Sequence, residues 1–256
     1  MITKYATYPS LDGRVVLITG GSAGIGAAMV EAFHAQGGKV AFLDIDEKKA
    51  EILRDSLIQK KLFDPYFLKC DVRDIGQLQN CIKKISNEVG NIHTLVNNAG
   101  GTERLSANKI TLDKWENFQS LNLRHVLFAS QAVFPNLQLM GEGSIINFTS
   151  PTFRRRTEGW AGYAAAKSGI EGLSRILARE YGESNIRVNS IMPGWTATEH
   201  HKKFFLNPEV EKDLMTVQCL KQLVLPEDIA RIALFLSSDD SKFMTAQVYK
   251  GDAGLV

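Results

Sequence analysis

Short apolar runs alternate with longer amphipathic segments along most of the chain. The segment 25–36 is typical of the longer kind, because Ile25, Met29, Ala32 and Phe33 share one face of a helical repeat. The apolar runs are strand-sized, and they occupy residues 14–19, 39–44, 66–71, 92–98, 144–149, 186–191 and 246–250. Strands alternating with helices predict βαβ units, and therefore a doubly wound parallel sheet covered by helices on both faces.

Composition agrees with this α/β prediction and narrows the functional classes. The chain has 256 residues, of which 44% are hydrophobic and 23% charged, which suits one domain spanning 1–256. The net charge of +2 gives no sign of a nucleic-acid or membrane surface. The run Val15–Ile18 is too short for a signal or membrane-spanning segment. Cys70, Cys81 and Cys219 form no CxxC pair or metal cluster, so we expect reduced thiols, a cytoplasmic location and no bound metal.

A glycine-rich stretch, "TGGSAGIG" at residues 19–26, follows the first apolar run and opens the first helix. Glycines let the backbone approach a pyrophosphate closely, and a helix N-terminus attracts its negative charge. A tight structural turn is the alternative, but the strand–loop–helix context favours a dinucleotide site. The candidate contacts in this loop are Gly20, Ser22, Gly24, Ile25 and Gly26.

The second apolar run ends at Asp44, at the usual distance for an acid that binds the adenosine ribose. A carboxylate there accepts hydrogen bonds from both ribose hydroxyls and repels a 2′-phosphate. The following Ile45 supplies no positive charge, so the sequence favours NAD over NADP. An exposed strand-end acid is the alternative, and Asp46 is a rival that lies one turn too late.

Two further motifs stand at predicted strand ends. The stretch "CDV" at 70–72 would set Asp71 and Val72 beside the adenine. The stretch "NNAG" at 97–100 leaves a strand with a glycine, where backbone can approach the cofactor. Its candidate contacts are Asn98, Ala99 and Gly100.

Candidate catalytic residues follow the fifth apolar run. Tyr163 and Lys167 stand four apart in "YAAAK" and therefore share one helical face. A nearby ammonium lowers the pKa of a phenol, which makes the phenol usable as a proton shuttle near neutral pH. Ser150 supplies a hydroxyl that could hold a substrate oxygen.

This ordered set of motifs resembles the short-chain dehydrogenase/reductase family over nearly the whole chain. The resemblance includes "TGGSAGIG", Asp44, "CDV", "NNAG", Asn122 in "SLNLRH", Ser150, "YAAAK" and "IRVNSIMPG". It implies a Rossmann-type fold of about seven strands. It also implies a homotetramer, since relatives are commonly tetramers or dimers that assemble through helices on the sheet faces.

The resemblance assigns a role to each catalytic candidate. Tyr163 would be the general acid/base, and Lys167 would bind the nicotinamide ribose and depress the pKa of the tyrosine. Ser150 would orient the substrate oxygen and stabilise its developing charge. Asn122 would hold a water in the proton relay.

The resemblance also places residues of "PGWTAT" at the nicotinamide end. Pro193, Gly194 and Thr196 would contact the nicotinamide, and Thr198 matches the threonine aimed at its carboxamide. Thr196 replaces the commoner Ile or Val, and the C-terminal "YKGDAG" departs from the frequent Val-Asp-Gly-Gly.

Less specific stretches resemble the aldose 1-dehydrogenases of this family: "YPSLDGRVVLITGG", "LNLRHVLFASQAV", "GIEGLSRILARE" and "AQVYKGDAG". These enzymes oxidise the anomeric hydroxyl of a pyranose to a lactone. The product is ester-like, so the reaction favours oxidation, and a preference for NAD agrees with that direction.

Three consecutive arginines lie between Ser150 and Tyr163, in a stretch that passes along the substrate cleft of this fold. A guanidinium there offers a planar fork for a carboxylate, phosphate or sulfonate. We therefore expect a sugar with an anionic group, such as sulfoquinovose, a hexuronate or a sugar phosphate. The candidate cations are Arg104, Arg154, Arg155 and Arg156. Solvated arginines, or arginines paired with Glu158 or another subunit, are the alternative.

The remaining substrate candidates are Thr152, Trp160, Trp195 and His200. The two tryptophans could stack on a sugar face, although packing is the commoner use of this residue. Residues 195–220 would form a lid that closes over the substrate, on which His200 and His201 are exposed.

Three other functions stay open. A neutral-sugar 1-dehydrogenase would leave the arginines on the surface. A ketone or acyl reductase of the same family would usually use NADPH, against which Asp44 argues. A non-catalytic NAD-binding regulator would have little reason to keep Asn122, Ser150, Tyr163 and Lys167 together.

Overall fold

The computed structural model describes residues 6–60, 64–204 and 207–256. Within these residues, seven strands form one all-parallel sheet, as predicted. The strands are β1 Val15–Thr19, β2 Lys39–Asp44, β3 Tyr66–Lys69, β4 Ile92–Asn97, β5 Gly143–Phe148, β6 Ile186–Pro193 and β7 Val248–Gly251. Their order across the sheet is β3-β2-β1-β4-β5-β6-β7.

Helices fill the connections between the strands. They are α1 Gly24–Ala35, α2 Glu47–Gln59, α3 Ile75–Glu88, α4 Leu112–Gln119, α5 His125–Met140, α6 Thr152–Arg155, α7 Ala161–Tyr181, α8 Glu199–Phe204, α9 Pro208–Val217 and α10 Pro226–Ser237. One turn of π-helix, Ser120–Arg124, joins α4 to α5. No helix in the described part of the chain is long and apolar enough to cross a membrane.

The strand boundaries differ from the predicted runs by one or two residues. The run 66–71 gives only β3, because Cys70 leaves the ladder after donating its N–H to the Asp44 carbonyl (2.9 Å). The run 246–250 starts two residues early, because Ala246 has a φ of +60°, which an extended strand does not allow.

Both faces of the sheet are buried, as the continuous apolar runs require. Within β1, Val16 and Ile18 join a core cluster with α1, α2 and α10. Val15 and Leu17 point the other way, into a second cluster with α3, α5 and α7. The helices therefore cover both faces of the sheet and leave its two ends open for function.

The strand order reverses at β1, which lies between β2 and β4. The chain moves outward through β2 and β3, returns to β4, and then continues to the opposite edge. In sheets of this kind the crevice at such a switch point, outside the carboxyl ends of the strands, is the usual ligand site. Here it lies between the loop after β1 and the loop after β4.

The predicted lid contains α8 and α9. Residues 205 and 206 of this lid lie outside the described residues, as do residues 1–5 and 61–63 of the predicted domain. The lid begins directly after β6 and is therefore rooted at the carboxyl end of the sheet.

A line of buried polar side chains ties the central strands together just beneath this end. The Asn97 amide donates to Asn147 Oδ1 (2.9 Å), and the Asn147 amide donates to Ser174 Oγ (2.9 Å). The Ser190 hydroxyl donates to Ser174 Oγ (3.0 Å). This ladder joins β4, β5 and β6 to α7, which carries Tyr163 and Lys167.

Replacing Asn147 with alanine should lower the free energy of unfolding by about 1–3 kcal/mol, because buried polar groups of Asn97 and Ser174 would lose their partner. Chemical denaturation followed by circular dichroism measures this change. The matched control is Asn87→Ala, at an exposed position of α3. Equal effects of the two substitutions would contradict a stabilising role for the ladder.

Candidate active site

Two glycines allow a very close approach of backbone at the switch point. Gly20 has a φ of +67°, and a Cβ on it would lie 2.9 Å from the Ala99 Cα. A Cβ on Gly26 would collide with the Gly20 carbonyl oxygen. Glycine is therefore required at both positions, for the turn and for the packing of α1 against it.

Thr19 and Asn98 hold the loops after β1 and β4 together. The Asn98 amide donates to the carbonyls of Thr19 (3.0 Å) and Gly20 (2.9 Å). In return, Thr19 Oγ1 accepts the backbone N–H groups of Asn98 (3.1 Å) and Ala99 (3.0 Å). The Asn98 side chain, predicted as a cofactor contact, is thus occupied in bracing the glycine loop. Thr19 was not predicted, and its position at the start of "TGG" is the only signal for it.

Asp44 is fixed at the end of β2 by backbone donors. Its Oδ2 accepts the Ser22 N–H (2.9 Å), and its Oδ1 accepts the Asp46 N–H (3.0 Å). A carboxylate has about four acceptor positions, so two remain for a ligand. Asp46 has a different use: it caps α2 by accepting the Lys49 N–H (3.1 Å) and pairs with Lys49 Nζ (2.8 Å).

A cleft of about 560 Å³ opens at the switch point. Among the residues lining it are the predicted contacts Gly20, Ser22, Ile25, Gly26, Asp44, Ile45, Asp71, Val72, Asn98, Ala99, Gly100 and Thr198. Gly24 faces Thr198 from the glycine loop, since a Cβ on it would lie 3.1 Å from the Thr198 methyl carbon. Glycine backbone on one wall and a fixed carboxylate beyond it suit the pyrophosphate and ribose of a dinucleotide.

Two cations in this cleft, Lys49 and Arg73, were not predicted. Arg73 pairs with Asp71 through its Nε (2.9 Å) and Nη2 (2.6 Å), and these hydrogen bonds lower the pKa of the Asp71 carboxyl. Lys49 follows Asp44 by five positions and Arg73 follows Asp71 by two, and this proximity is the only feature of the sequence that could have placed them in the cleft. Both are paired with a carboxylate, so neither brings an uncompensated positive charge to the cleft.

Pro193, Gly194 and Thr196 do not line this cleft. A Cβ on Gly194 would lie 2.5 Å from the Asp252 Cα, and the Gly194 N–H donates to the Gly251 carbonyl (2.8 Å). Thr196 is 1% exposed, and its hydroxyl donates to the Gly194 carbonyl (3.2 Å). These contacts fix the end of β6 against the C-terminal segment. Thr198, five residues after β6, lines the cleft.

Ser150, Tyr163 and Lys167 come together beyond the end of β5. Ser150 is 6% exposed, and its Oγ lies 2.8 Å from Thr152 Oγ1. The helix α7 begins at Ala161, so Tyr163 and Lys167 occupy its first two turns. Lys167 Nζ lies 5.8 Å from the centre of the Tyr163 ring.

Lys167 is a buried ammonium, 4% exposed. Its Nζ donates to the Phe148 carbonyl (2.8 Å), and its own carbonyl accepts the Thr149 hydroxyl (2.8 Å). Burial lowers the pKa of Lys167 to about 8. The lysine is therefore held rigidly at the end of β5, and it loses its charge more readily than an exposed lysine.

The pKa of Tyr163 shifts in the direction opposite to the expected one. Burial raises the pKa of the phenol, and the Ser150 hydroxyl only partly opposes that effect. The reason is that burial disfavours the phenolate, just as it disfavours the ammonium of Lys167. The tyrosine therefore keeps its proton at neutral pH.

Asn122 lies in the π-helical turn and is fully buried. Its Oδ1 accepts the Gly101 N–H (3.0 Å), and its Nδ2 donates to the Phe118 carbonyl (3.1 Å). A Cβ on Gly100 would lie 2.9 Å from Asn122 Oδ1 and 3.4 Å from Lys167 Nζ. The π turn thus brings Asn122 to Gly100 and Lys167, and such turns are frequent at functional sites.

His125 begins α5 directly after this turn, and it was not predicted. It is completely buried, and burial together with the Lys167 charge lowers the pKa of its imidazole to about 3. The ring is therefore neutral. A histidine three residues after Asn122 is its only signal in the sequence.

Beyond Thr152 lies a second cleft of about 690 Å³. Four predicted substrate residues line it: Arg104, Thr152, Arg156 and Trp160. The Leu105 N–H donates to the Gly159 carbonyl (2.8 Å), which joins the two loops that carry the arginines. Arg156 has a φ of +55° where it ends α6, and this left-handed backbone separates it from the two arginines before it.

Arg154 and Arg155 do not line the second cleft. Arg154 pairs with Glu171 (2.9 Å) and lies over the Phe153 ring at 5.4 Å from its centre. Its partner is therefore an acid of α7 rather than the expected Glu158. Arg155 is exposed. The structure thus divides the arginine run into one cleft residue and two surface residues.

The two candidate tryptophans also separate. Trp160 lines the second cleft and meets the Tyr163 ring edge-on, at 6.0 Å between centres. Trp195 stacks on His201 (5.4 Å), whose Nδ1 lies 2.6 Å from the Thr196 carbonyl oxygen. Neither Trp195 nor His200 lines that cleft. In the part of the chain that the structure describes, no group of His, Cys, Asp and Glu could hold a metal ion.

Comparison with known proteins finds oxidoreductases that are similar to this chain over nearly its full length. Residues 20–256 match a family model described as enoyl-(acyl carrier protein) reductase. The chain is 40% identical over 249 residues to "D-xylose 1-dehydrogenase" of Caulobacter vibrioides, covering 97% of this chain and 98% of that one. It is 39% identical over 255 residues to "Probable galactose dehydrogenase" of Rhizobium meliloti, covering both chains completely.

A solved short-chain dehydrogenase/reductase of Serratia marcescens has the same fold, with a TM-score of 0.88 and 28% identity over 96% of this chain and 99% of that one. The sheet order, the glycine loop and the full-length relatives all agree. This chain belongs to the short-chain dehydrogenase/reductase family, whose members are NAD(P)-dependent oxidoreductases.

Proposed function

We propose that this protein is an NAD-dependent sugar 1-dehydrogenase, which oxidises the anomeric hydroxyl of an aldose to a lactone. The observation that carries the proposal is the convergence of Ser150, Tyr163 and Lys167 beyond the end of β5. The Ser150 hydroxyl is near enough to act on the pKa of Tyr163, and Lys167 Nζ lies 5.8 Å from the centre of the Tyr163 ring. The relatives named D-xylose 1-dehydrogenase and galactose dehydrogenase, which align over the full length, support a sugar as substrate.

The chain's own groups account for proton removal. Tyr163, after it has given up its own proton, takes the proton of the anomeric hydroxyl, while Ser150 steadies the oxygen by a hydrogen bond. The Lys167 ammonium, held by the Phe148 carbonyl, stabilises the phenolate. Bound NAD would accept the hydride that leaves the anomeric carbon.

The proposed role of Asn122 is to hold the backbone near Lys167 in place. Both ends of its side-chain amide are already engaged, by Gly101 and by Phe118. Its proposed part in the proton relay is therefore to fix the turn beside Lys167, rather than to hold a water with that amide. The proton leaves Tyr163 through Lys167, whose pKa of about 8 allows it to pass a proton near neutral pH.

The choice of NAD rests on the corner of the cofactor cleft around Asp44. The free acceptor positions of its carboxylate suit two ribose hydroxyls and oppose a phosphate. The neighbouring Ile45 is 56% exposed and uncharged. Lys49 lines the same cleft, and Asp46 already neutralises it at 2.8 Å.

An anionic group on the sugar is the finer part of the proposal. Arg104 and Arg156 line the second cleft, and the Leu105–Gly159 hydrogen bond holds their loops side by side. A guanidinium pair of this kind would take the sulfonate of sulfoquinovose, the carboxylate of a hexuronate or a sugar phosphate. Trp160 would stack on the apolar face of the sugar.

Two alternatives have support of their own. The named sugars of the relatives, xylose and galactose, are neutral, and Arg104 and Arg156 are exposed, which favours a neutral-sugar 1-dehydrogenase. The description of the family model favours a reductase of acyl thioesters. A non-catalytic regulator has no support beyond the cofactor cleft.

The proposal also covers the assembly of the protein. We infer from the family resemblance that the chain is one domain over 1–256, with a lid at 195–220, and that it forms a homotetramer. The reduced cysteines are the ground for a cytoplasmic location.

Replacing Tyr163 with phenylalanine should lower kcat by a factor of about 10²–10⁴, because the substrate proton loses its acceptor. NAD binding, measured by fluorescence titration, should stay largely intact. The control on the same helix is Tyr181→Phe, whose ring packs on Phe134. Retained turnover in the Tyr163 variant would remove it as the acid/base.

Replacing Asp44 with alanine should raise the ratio of kcat/KM with NADP to kcat/KM with NAD at least about tenfold, which corresponds to about 1.4 kcal/mol. The reason is that the repulsion of the 2′-phosphate and the ribose hydrogen bonds disappear together. Glu47→Ala is the neighbouring control, since this exposed acid pairs with Lys69 and does not line the cofactor cleft. An unchanged ratio in the Asp44 variant would show that Asp44 does not bind the adenosine ribose hydroxyls.

A sugar panel separates the substrate classes. Reduction of NAD should be fastest with one of sulfoquinovose, glucuronate or a hexose phosphate, compared with glucose, xylose and galactose. Arg104→Ala and Arg156→Ala should then raise KM for that anionic sugar about 10–100-fold more than for its neutral analogue, because a charge-assisted hydrogen bond is lost.

Arg155→Ala is the matched control for the neighbouring Arg156, because Arg155 lies outside the cleft. A preference for a neutral sugar, or equal effects of all three substitutions, would show that the arginines do not bind an anionic group of the substrate. Activity with ketones alone would replace the aldose proposal by the reductase.

A further inference from the structure

A separate cavity of about 290 Å³ lies at the opposite end of the sheet. It is formed where β1, β4, β5 and β6 begin, whereas the active site lies where these strands end. Its charged lining consists of Arg14, Glu142, Arg187, Asp239 and Lys242, with Phe243 at its edge. None of these residues takes part in the proposed reaction.

Arg14 neutralises the carboxylates of this cavity. Its Nη2 pairs with Asp239 at 2.9 Å and with Glu142 at 3.6 Å, and its side chain is only 17% exposed. Its Nη1 donates to the Ser237 carbonyl (3.4 Å). Both acids of the cavity are therefore already committed to one guanidinium.

Arg187 has no such partner. Its Nη1 is buried and makes no hydrogen bond, and its Nη2 makes only a long one to the Ser238 carbonyl (3.5 Å). No carboxylate of the described residues lies within ion-pair distance of this guanidinium. Burial, followed by the nearby Arg14 charge, lowers the pKa of Arg187, and the attraction of Asp239, Tyr249 and Glu142 opposes this only in part. A mostly buried cation without a directly paired carboxylate is costly, and a bound anion would reduce that cost.

Lys242 adds a second uncompensated cation at the mouth of the cavity. Its Nζ lies 5.4 Å from the centre of the Phe243 ring, and the described part of the chain offers it no ion pair. Phe243 itself is 91% exposed. The cavity thus carries three cations and two acids, and both acids belong to Arg14.

We propose that this cavity binds a small oxyanion, a phosphate or a carboxylate, between Arg187 and Lys242. A guanidinium offers two parallel N–H donors to such a group, and an ammonium supplies a point charge. The volume suits a small ion or a compact organic acid rather than a dinucleotide. The proposal goes beyond the oxidoreductase activity, since it concerns the other end of the sheet.

Isothermal titration of the full chain tests this site, with inorganic phosphate and acetate as separate probes at constant ionic strength in chloride. Saturating NAD fills the cofactor cleft, and an Arg104→Ala, Arg156→Ala background removes the second cleft as a source of signal. Saturable binding of one or both probes is expected. The probe that binds identifies the anion as phosphate or carboxylate.

Arg187→Gln and Lys242→Gln should each weaken this binding about tenfold or more, because each removes a charge-assisted contact. Lys242→Gln lies on the surface, so it carries the test if Arg187→Gln fails to fold, and it should leave kcat unchanged. Absence of saturable binding by both probes, or wild-type affinity in Lys242→Gln, would overturn the proposal. Sugar oxidation does not enter this readout. If NAD fails to fill the cofactor cleft, the loss of binding in Lys242→Gln still assigns the signal to this cavity, so failure of the proposed function is distinguishable from failure of this one.

Discussion

The active end of the molecule depends on one close backbone approach, between the loop after β1 and the loop after β4. The Asn98 amide spans that gap to the carbonyls of Thr19 and Gly20, while Thr19 Oγ1 holds two N–H groups of the opposite loop. Side chains larger than hydrogen at Gly20 or Gly26 would force the loops apart. The cofactor cleft lies where the chain leaves these two paired strands for helices on opposite faces of the sheet.

Burial sets the chemistry of the catalytic residues. It lowers the pKa of Lys167 to about 8 and raises the pKa of Tyr163, so it works against the charged form of each. The two pKa values are almost equal in water, and the two shifts move them apart. The buried lysine therefore gives up its proton more readily than the buried tyrosine does.

Much of this site could be predicted from the sequence, because its parts are local. The glycine loop, Asp44 and the Tyr163–Lys167 spacing each depend on residues only a few positions apart. The arginines could not be sorted in this way. Arg154 forms an ion pair with Glu171 of α7 and does not line the cleft. Arg156 lines the cleft, and its left-handed backbone separates it from Arg154 and Arg155. Such choices depend on tertiary contacts that a periodic pattern does not contain.

Other residues have structural contacts that the sequence did not predict. Asn98 and Asn122 lie where expected, yet the side chain of each is used to brace backbone. The position of His125 could not be predicted, since a single histidine in a helix is ordinarily a packing residue. Its position beside Lys167 becomes visible only when α5 and α7 are packed together.

The most direct test of this account follows the hydrogen on the anomeric carbon. The protein is supplied with NAD and the best aldose of the panel, deuterated at that carbon, and the reduced cofactor is analysed by mass spectrometry. The account predicts deuterium in the reduced cofactor, a lactone as the product and a slower rate than with the unlabelled sugar. Reduced cofactor without deuterium would show that oxidation occurs at another carbon, and would contradict the assignment as a sugar 1-dehydrogenase.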